Sequence, residues 1–499
     1  MAASTGPDDG GKEFADKLRA GLIGYGAAPF IEFERKWYSG NEITGYIDNI
    51  ADALQKAGVS SEDPVGMVVR NRIGHGAAVL GFIAARRPVA MIYSYQSAES
   101  IARDIEQLKL AAIIVDRDDW TAPVAEAVSR VGSAAVALSL HTPTVELVAV
   151  RDHDQHPDAS LGPGGLHILT SGTTGPPRRV PVPTRVLQHT VLTMTVGHTP
   201  APDDPPELVY WPFGSIGVCQ LLAAPYSGKR MVLLEKFSVE EWVRAVKTYR
   251  VKRAGVQPAI VRMLLDADIP KEDLASLEFL PGGSGPLEPG LRQAFEQRYG
   301  VPLLWAYGAT EFAGSVCAWT PELHRQYGTT KRDSVGRPLP GVEVRIVDAE
   351  SGAEVPAGDV GLLEARVGVI GPSWIRTTDL ASMDADGFVT LHGRADGAIN
   401  RGGFKILPET VRKALVAHPA VRDACVVGVR DPRVGEVPFA AAEVQHGMPA
   451  PSEAELKDWV RESLPSHHIP VAIRIVDTLP RNAALKVRPA DVAALYPEP

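Results

Sequence analysis

The stretch ILTSGTTGPPRRV, residues 168–180, places hydroxyl side chains between glycines and ends in two arginines. Glycines let backbone amides turn toward one point, and amides together with hydroxyls hold phosphate oxygens well. Arg178 or Arg179 would add positive charge beside them. Because the GxxxxGKS/T spacing is absent, this is not the phosphate loop of P-loop kinases and GTPases. A surface turn rich in glycine and threonine is the alternative, and the stretch alone does not decide between the two.

A second candidate is AYGATEF, residues 306–312, which follows the strand-like run VPLLW. It puts Glu311 just beyond a turn of small residues at the end of a predicted parallel strand, where ligands of open α/β sheets gather. A carboxylate there suits Mg²⁺, which binds one or two carboxylates together with substrate phosphates. By itself, Glu311 is more typical of a solvated loop acid.

Two further groups of polar residues lie toward the C-terminus. The first, TTDLASMDADGFVTLHGRADGAINRGGFKI, carries Asp379, Arg394, Asp396 and the pair Gly402–Gly403, and the second, LPRNAALKVRPADV, carries Lys486. Each residue alone fits an exposed acid, a surface arginine or a terminal lysine. Four such motifs in this order are hard to explain as unrelated surface residues.

Alternating patterns predict the elements that position these residues. Residues 46–58 have helical periodicity, residues 64–69 and 111–115 are strand-like, and the alternation predicts a mainly parallel sheet with helices on both faces. From about Gly341 apolar and polar residues alternate between Gly and Pro turns, which predicts antiparallel strands. After Arg394 the pattern becomes α+β. We therefore predict two domains, residues 1–395 and 396–499, the second of a size that can fold as a unit.

Composition limits the class of protein. The chain has 499 residues, 45% hydrophobic, with a net charge of −9, and a nucleic-acid-binding protein would normally be basic. No apolar stretch is long enough to span a bilayer, and the polar N-terminus does not resemble a signal peptide. Cys219, Cys317 and Cys425 are odd in number and far apart, which excludes a disulfide framework and favours a reducing, cytoplasmic location.

Taken together, the motifs resemble those of the adenylate-forming superfamily, which includes acyl- and aryl-CoA synthetases, adenylation domains of nonribosomal peptide synthetases and luciferases. TSGTTGPPRR is similar to its phosphate loop, YGATE to its YGxTE motif, TTD at Thr377–Asp379 to its TGD motif, and GRAD at Gly393–Asp396 to its hinge. The acyl/aryl-CoA synthetase branch fits best. The resemblance implies an α/β fold: a large N-terminal domain of two helix-flanked sheets plus a small β-rich subdomain, and a small mobile α+β lid domain that carries the catalytic lysine.

The resemblance also implies a chemistry, which is the activation of a carboxylic acid by ATP to acyl-AMP, with release of pyrophosphate, and transfer to a thiol, with CoA favoured. Lys486, Thr310 and Glu311 would be catalytic, and Glu311 would also hold Mg²⁺. Asp396 would be the hinge, and Gly402 and Gly403 would lie on the CoA face. The residues implied to bind ATP are Thr170, Ser171, Gly172, Thr173, Thr174, Gly175, Arg178, Tyr307, Gly308, Asp379 and Arg394.

The resemblance places the acid pocket at Phe213, Gly214, Gly283, Ser284 and Ala306. Gly214 stands where many acyl- and aryl-CoA ligases have histidine, which predicts a more open apolar pocket for a fatty, branched or aryl acid. No acid lies nearby to pair an ammonium, so an α-amino acid is a poor substrate.

Several positions depart from the family pattern. Arg178 and Arg179 stand where Lys and Gly are usual, Thr378 and Leu485 each replace a glycine, and the chain is short between Gly361 and Asp379. Two alternatives therefore stay open: an acyl-AMP ligase that loads an acyl carrier protein, and a catalytically weak protein that binds nucleotide or acyl-adenylate. A homodimer is also left open.

Overall fold

The computed structural model describes residues 9–139, 144–152, 161, 165–170, 178–195, 204–214, 217–309, 312, 314–482 and 485–497. Contacts between residues divide the chain into two units. The first comprises Met1–Gly172, Pro176–Gly255 and Pro270–Phe279, and the second comprises Thr173–Gly175, Val256–Ile269 and Leu280–Pro499.

The first unit alternates strands with helices, as predicted. Its strands are β1 (Pro29–Phe33), β2 (Lys36–Ser39), β3 (Val65–Val69), β4 (Val89–Tyr93), β5 (Ala112–Asp116), β6 (Ala134–Leu138), β7 (Val145–Ala149), β8 (Leu166–Thr170), β9 (Arg178–Val182), β10 (Glu207–Val209) and β11 (Met231–Leu233). Its helices are α1 (Asp9–Tyr25), α2 (Gly40–Lys56), α3 (Ile73–Ala84), α4 (Ala98–Leu108), α5 (Ala122–Val131), α6 (Thr184–Thr195), α7 (Val218–Ser227) and α8 (Val239–Tyr249).

A seven-stranded sheet dominates this unit, in the order β7-β6-β5-β3-β4-β8-β9, and a smaller sheet has the order β10-β11-β1-β2. The five inner strands of the large sheet are parallel, whereas β7 and β9 pair antiparallel at its edges. Met67 and Val69 enter one apolar cluster and Val68 enters another. Successive side chains of β3 therefore pack on opposite faces, and this burial on both faces explains why the strand is apolar throughout.

In the part of the second unit that the structure describes, the strands form three sheets. Its strands are β12 (Leu280–Gly282), β13 (Leu303–Ala309), β14 (Gly314–Ala318), β15 (Arg337–Pro338), β16 (Val342–Val347), β17 (Gly361–Val367), β18 (Ile375–Met383), β19 (Val389–Arg394), β20 (Ile399–Arg401), β21 (Phe404–Ile406), β22 (Val421–Asp431), β23 (Gly435–Val444) and β24 (Ala472–Val476). Its helices are α9 (Pro258–Asp266), α10 (Pro289–Tyr299), α11 (Pro321–Tyr327), α12 (Pro408–Val416), α13 (Glu453–Ser463) and α14 (Pro489–Ala493).

These sheets follow the change of pattern along the sequence. Strands β12–β15 form one sheet, and β16–β19 form an antiparallel meander, which confirms the antiparallel strands predicted from about Gly341. In the last sheet, β22 and β23 form a long hairpin that packs α12 and α13 on one face and α14 on the other. The α/β class is confirmed. The proposed boundary between residues 395 and 396 stays a prediction.

One helix begins earlier than its periodicity indicates. Helix α2 starts at Gly40 rather than near Tyr46, because Ser39 and Glu42 form a capping box that satisfies free amides of the first turn. Of the first six residues only Ile43 is a large apolar residue, and it is buried with the rest of the stripe, so the periodic pattern is sparse there and places the start too late.

Candidate active site

The predicted phosphate loop connects two paired strands at the carboxyl edge of the seven-stranded sheet. Strand β8 runs parallel to β4 and ends at Thr170, and β9 returns antiparallel, with Thr170 opposite Arg178. The predicted loop thus begins and ends on paired strands at the edge of the sheet where ligands of open α/β folds bind. Ser171, Gly172, Thr173, Thr174 and Gly175 lie outside the described residues, as do the side chains of Thr170 and Arg178.

Arg179 does not serve as the second charge of this loop. Its guanidinium binds both carboxylate oxygens of Asp104 at 2.7 Å and donates to the carbonyl of Met91 at 2.7 Å. Such a bidentate pair fixes the fork geometry of arginine. Arg179 thus ties strand β4 to helix α4, and of the two arginines Arg178 remains the candidate for phosphate.

Tyr307 and Asp379 meet although 72 residues separate them. Tyr307 lies on β13, and its hydroxyl donates to Oδ2 of Asp379 on β18. Burial raises the pKa of Tyr307, and the charge of Asp379 raises it further. The tyrosine therefore stays a neutral donor across the physiological range. The hydroxyl of Thr377 accepts from the backbone amide of Asp379 at 3.1 Å, which fixes the backbone that carries this carboxylate.

Position 308, next to Tyr307, has no room for a side chain. A β-carbon on Gly308 would lie 2.1 Å from the carbonyl oxygen of Gly314 on the neighbouring strand β14. No side chain fits there, so the glycine of the YGATE motif allows β13 and β14 to approach closely. Thr310 and Glu311, the next predicted site residues, lie outside the described residues.

Arg394 lies directly opposite Asp379 in the pairing of β18 with β19. Its guanidinium binds Asp396 through two hydrogen bonds of 2.8 and 2.6 Å and donates to the hydroxyl of Thr378 at 2.7 Å. The arginine beside the predicted ribose site is thus bound to the predicted hinge residue. Arg394 lowers the pKa of Asp396, which keeps that carboxylate ionised. Thr378, which replaces the usual glycine, supplies the hydroxyl that Arg394 binds.

The predicted catalytic lysine lies on a tight reversal near the C-terminus. Arg481 and Val487 form an antiparallel bridge across it. The amide of Asn482 donates to the carbonyl of Lys486 at 2.8 Å, and the amide of Lys486 donates to Oδ1 of Asn482 at 3.0 Å. Lys486 as a whole residue is exposed, but burial around its ammonium lowers the pKa of Lys486. The reversal carries this lysine on a backbone that is bonded on both sides.

The backbone conformation at Leu485 explains why glycine is usual before this lysine in the family. Its φ is 57°, in the left-handed region that costs a residue with a β-carbon about 1–2 kcal/mol. Its amide donates to the carbonyl of Asn482 at 2.9 Å, which closes the turn. The turn is kept here with a strained leucine in place of glycine.

The two parts of the predicted acid pocket belong to different units. Phe213 and Gly214 are buried in the first unit, where Asn71 holds the segment that carries them. A β-carbon on Gly214 would lie 2.5 Å from the ring of Tyr93, so the more open pocket expected beside Gly214 is not found. The space is filled by a tyrosine that the sequence motifs did not reveal.

In the second unit, Gly283 and Ser284 follow β12, and Ala306 lies on the neighbouring strand β13. A β-carbon on Gly283 would lie 3.0 Å from the carbonyl oxygen of Ala306, so these two backbones are in close contact. Ser284 has a φ of 67°, which is unusual for a residue other than glycine. Strained backbone of this kind concentrates at ligand sites, and it supports Ser284 as a pocket residue.

Gly402 and Gly403 form the turn of the β20–β21 hairpin. Their φ values are 56° and 91°, and Arg401 pairs with Phe404 across them. A two-residue hairpin turn with two positive φ values favours glycine at both positions. Backbone conformation alone is thus sufficient to explain this glycine pair, and a role on the CoA face stays a prediction.

Among the residues that the structure describes, no group of three or more potential metal ligands is present. The predicted Mg²⁺ ligand, Glu311, is not among these residues. No helix in the described part of the chain is long and apolar enough to cross a bilayer.

Comparison with known protein families identifies the family to which this chain belongs. The model of the AMP-binding enzyme family matches residues 23–368, and that of the AMP-binding enzyme C-terminal domain matches residues 411–486. The chain belongs to the AMP-binding enzyme family. This AMP-binding enzyme is 25% identical to the 2-succinylbenzoate–CoA ligase of Bacillus pumilus over 473 residues, which cover 91% of this chain and 92% of the other.

Two solved structures extend the comparison to the fold. ATP-bound MatB from Rhodopseudomonas palustris superposes with a TM-score of 0.80 at 21% identity and covers 97% of this chain and 99% of its own. The amide bond synthetase McbA from Marinactinospora thermotolerans superposes with a TM-score of 0.78 at 25% identity, with the same coverage of 97% and 99%. The predicted architecture of a large N-terminal and a small C-terminal domain is therefore that of this AMP-binding enzyme.

Proposed function

We propose that this AMP-binding enzyme is an ATP-dependent acid–CoA ligase. In the first half-reaction a carboxylate oxygen of the acid attacks the α-phosphorus of ATP, the bond to the β-phosphate breaks, and pyrophosphate leaves. In the second, the sulfur of CoA attacks the carbonyl carbon of the acyl-AMP, loses its proton, and AMP leaves. Both steps bring anions together, so the protein must neutralise charge where it develops.

The observation that carries the proposal is the meeting of two motifs in one unit. The Tyr307 hydroxyl binds Asp379, and Arg394 lies opposite Asp379 on the next strand. A carboxylate held in this way accepts hydrogen bonds from two vicinal hydroxyls, which is what binding of a ribose requires. We assign Asp379 to the ribose of ATP, with Tyr307 as the residue that orients it.

The other assignments follow from the family motifs. We assign the loop from Thr170 to Gly175 and Arg178 to the β- and γ-phosphates, and Lys486 to the charge shared by the acid and the α-phosphate. Glu311 would hold Mg²⁺, which when bound neutralises the phosphates, and Thr310 would be a catalytic residue beside it. Asp396 would be the pivot that moves Lys486 away before the thiol enters beside Gly402 and Gly403, so that one site serves both half-reactions.

For the acid, an aryl, branched or fatty carboxylate is proposed. The buried apolar surroundings of Phe213 and Gly214 favour an apolar group over an ammonium. The similarity to a 2-succinylbenzoate–CoA ligase supports an aryl acid. Fatty acid metabolism would follow only if long-chain acids were the better substrates.

Two other molecules could accept the acyl group in place of CoA. An acyl carrier protein offers the same thiol as CoA on a pantetheine arm, and the similarity to an amide bond synthetase favours an amine as a second candidate. The cysteines Cys219, Cys317 and Cys425 are buried and free, which suits the cytoplasmic location that we propose.

Acid-dependent exchange of pyrophosphate into ATP, measured with Mg²⁺ over a panel of aryl, branched and fatty acids, tests the adenylation step. We expect exchange with one class of acid and none with α-amino acids. Product analysis with CoA, a carrier protein in its pantetheine form, or a simple amine then identifies the acceptor. Binding of ATP without exchange for any acid would replace the ligase proposal by that of a nucleotide-binding protein.

A further inference from the structure

Tyr93 and Gly214 occupy one space in the first unit. A β-carbon on Gly214 would lie 2.5 and 2.6 Å from Cε1 and Cδ1 of Tyr93, and 3.3 Å from Cγ1 of Val69. Contacts under 3.0 Å are not tolerated, so the tyrosine ring takes the room that any side chain at position 214 would need. Val69 and Tyr93 are paired at the ends of the parallel strands β3 and β4.

Asn71 prevents the segment of Gly214 from moving away from this ring. The Nδ2 group of Asn71 donates to the carbonyl of Trp211 at 2.9 Å, and its Oδ1 accepts from the amide of Phe213 at 3.0 Å. Asn71 is only 2% exposed, so both bonds are made in a dry interior. Breaking them would leave buried polar groups unpaired. The side chain of Asn71 thus fixes the segment that carries Gly214.

The topology indicates which part of the sheet edge takes a ligand. The chain leaves β3 toward β4 on one side and later returns to β5 on the other, so the switch point of this sheet lies between β3 and β5. Ligands of open α/β sheets usually bind there. In this protein, ion pairs occupy the switch point between β3 and β5. Arg72 binds Asp116 at 2.9 Å and Glu235 at 2.9 Å, and Arg70 binds Asp119.

A ligand is therefore directed to the neighbouring part of the edge, at the ends of β3, β4 and β8. Strand β4 pairs with β8 through Val89–Leu166 and Ala90–His167. Continuing this register brings Tyr93 level with Thr170, where the phosphate loop begins. The ring of Tyr93 thus lies one strand away from the proposed ATP site and against the proposed acid-pocket residue Gly214.

We propose that Tyr93 determines the acid specificity of this enzyme, its ring forming the pocket wall that a side chain at position 214 would otherwise form. The inference rests on the proposed acid activation. It also explains the glycine at position 214, because the ring at position 93 occupies the volume that a side chain at position 214 would fill. A pocket bounded by a flat ring favours acids that stop short of it, and removing the ring admits longer or bulkier ones.

Whether Tyr93 and Gly214 share one space can be tested by thermal unfolding, without an activity assay. Gly214→Ala should lower the thermal unfolding midpoint, because the new methyl group meets the Tyr93 ring. Tyr93→Ala in the same chain should remove most of that effect, so that Gly214→Ala costs much less in the double variant, where only the contact with Val69 remains. Equal losses from Gly214→Ala in the presence and absence of the ring would show that the two positions do not share space, and would overturn the proposal.

Specificity is tested by pyrophosphate exchange with a series of acids of increasing size. Tyr93→Ala should shift the ratio of kcat/KM for large over small acids by tenfold or more, and Tyr93→Phe, which keeps the ring, should retain the wild-type preference. Tyr95→Ala is the matched control, since Tyr95 lies two residues further on and is 41% exposed. An unchanged ratio in Tyr93→Ala, or an altered one in Tyr93→Phe, would contradict the role of the ring. Absence of exchange in the wild type would instead defeat the proposed function, and the unfolding experiment would still judge the pair.

Discussion

Arg481 joins the buried carboxylate of Asp423 to the backbone that carries the predicted catalytic lysine. Its Nη2 donates to Oδ2 of Asp423 at 2.7 Å, and its Nη1 donates to the carbonyl of Leu485 at 3.2 Å. Asp423 is also bound by Arg262 at 2.9 Å and by Arg412 at 3.3 Å. Burial opposes ionisation of Asp423, but these cations keep its pKa low. The position of Lys486 therefore depends on an ion cluster on the β22–β23 sheet.

Arg481→Lys should impair adenylation more than it impairs stability. An ammonium cannot bridge Asp423 and the Leu485 carbonyl as the planar fork does, so one of the two contacts is lost. We expect the unfolding free energy to fall by about 1 kcal/mol and the rate of pyrophosphate exchange to fall by about tenfold. Thioester formation from supplied acyl-AMP should be spared. Asp458→Asn, at an exposed ion pair with Arg461, is the control and should change neither.

Lys486→Ala should separate the two half-reactions. The ammonium is assigned to the charge that builds between acid and α-phosphate, and it has no part in attack by the thiol. We expect pyrophosphate exchange to fall by at least 100-fold, while transfer from supplied acyl-AMP to CoA continues. Equal loss of both half-reactions would refute the assignment of Lys486 to the first alone.

Leu485→Gly should stabilise the protein relative to Leu485→Ala. Both variants remove the leucine side chain, but alanine keeps the strain of the left-handed backbone, whereas glycine adopts it freely. We expect glycine to be more stable by about 1 kcal/mol in urea titrations. If alanine were as stable as glycine, the turn would not retain a positive φ in solution.

Thr378→Val should raise the KM for ATP several-fold. Valine keeps the shape of threonine but cannot accept the hydrogen bond from Arg394, which lies opposite the proposed ribose carboxylate. Thr378→Ser keeps the hydroxyl and should behave as the wild type. Because Arg394 and Asp396 are exposed, the free energy of unfolding should change little in either variant. A KM for ATP that is the same in all three proteins would exclude Thr378 from positioning the arginine.

Asp116→Asn should change how stability depends on pH. Burial disfavours the ionised form of Asp116, but hydrogen bonds from His75 and the Asp118 amide, with the charge of Arg72, lower its pKa to about 2. The unfolded value is about 3.9. Since the folded pKa is the lower one, ionisation contributes about 2.5 kcal/mol of stability at neutral pH, which is lost progressively as the pH falls from about 5 to below 2.

The difference in unfolding free energy between wild type and Asp116→Asn should therefore narrow by roughly 1 kcal/mol between pH 6 and pH 3. Asp118→Asn is the matched control: Asp118 binds the same Arg72, but its side chain is 62% exposed. For that variant we expect only a small loss of stability, because an exposed ion pair contributes little. A difference for Asp116→Asn that does not change with pH would show that its pKa is ordinary in the folded protein.

Much of the local structure could be predicted because it depends on neighbours in the chain. The strand at Ala472–Val476 and the helix at Glu453–Ser463 follow from apolar periodicity, and the latter begins at a Ser452–Glu455 capping box. The motifs that carry Asp379 and Lys486 were found in the same way, since their spacing is short. Tyr93 was not found in this way. It lies in an ordinary apolar strand, and its proposed role depends on contact with Gly214, which is distant in sequence.

The sequence by itself determined the family, the order of strands and helices, and the residues whose chemistry suits acid activation, since each is encoded in a short stretch. Only the tertiary structure decided which partner each arginine takes. Arg179 binds Asp104, Arg394 binds Asp396, and Arg481 binds Asp423. The strength of an ion pair depends on distance through space and on burial, and spacing along the chain specifies neither.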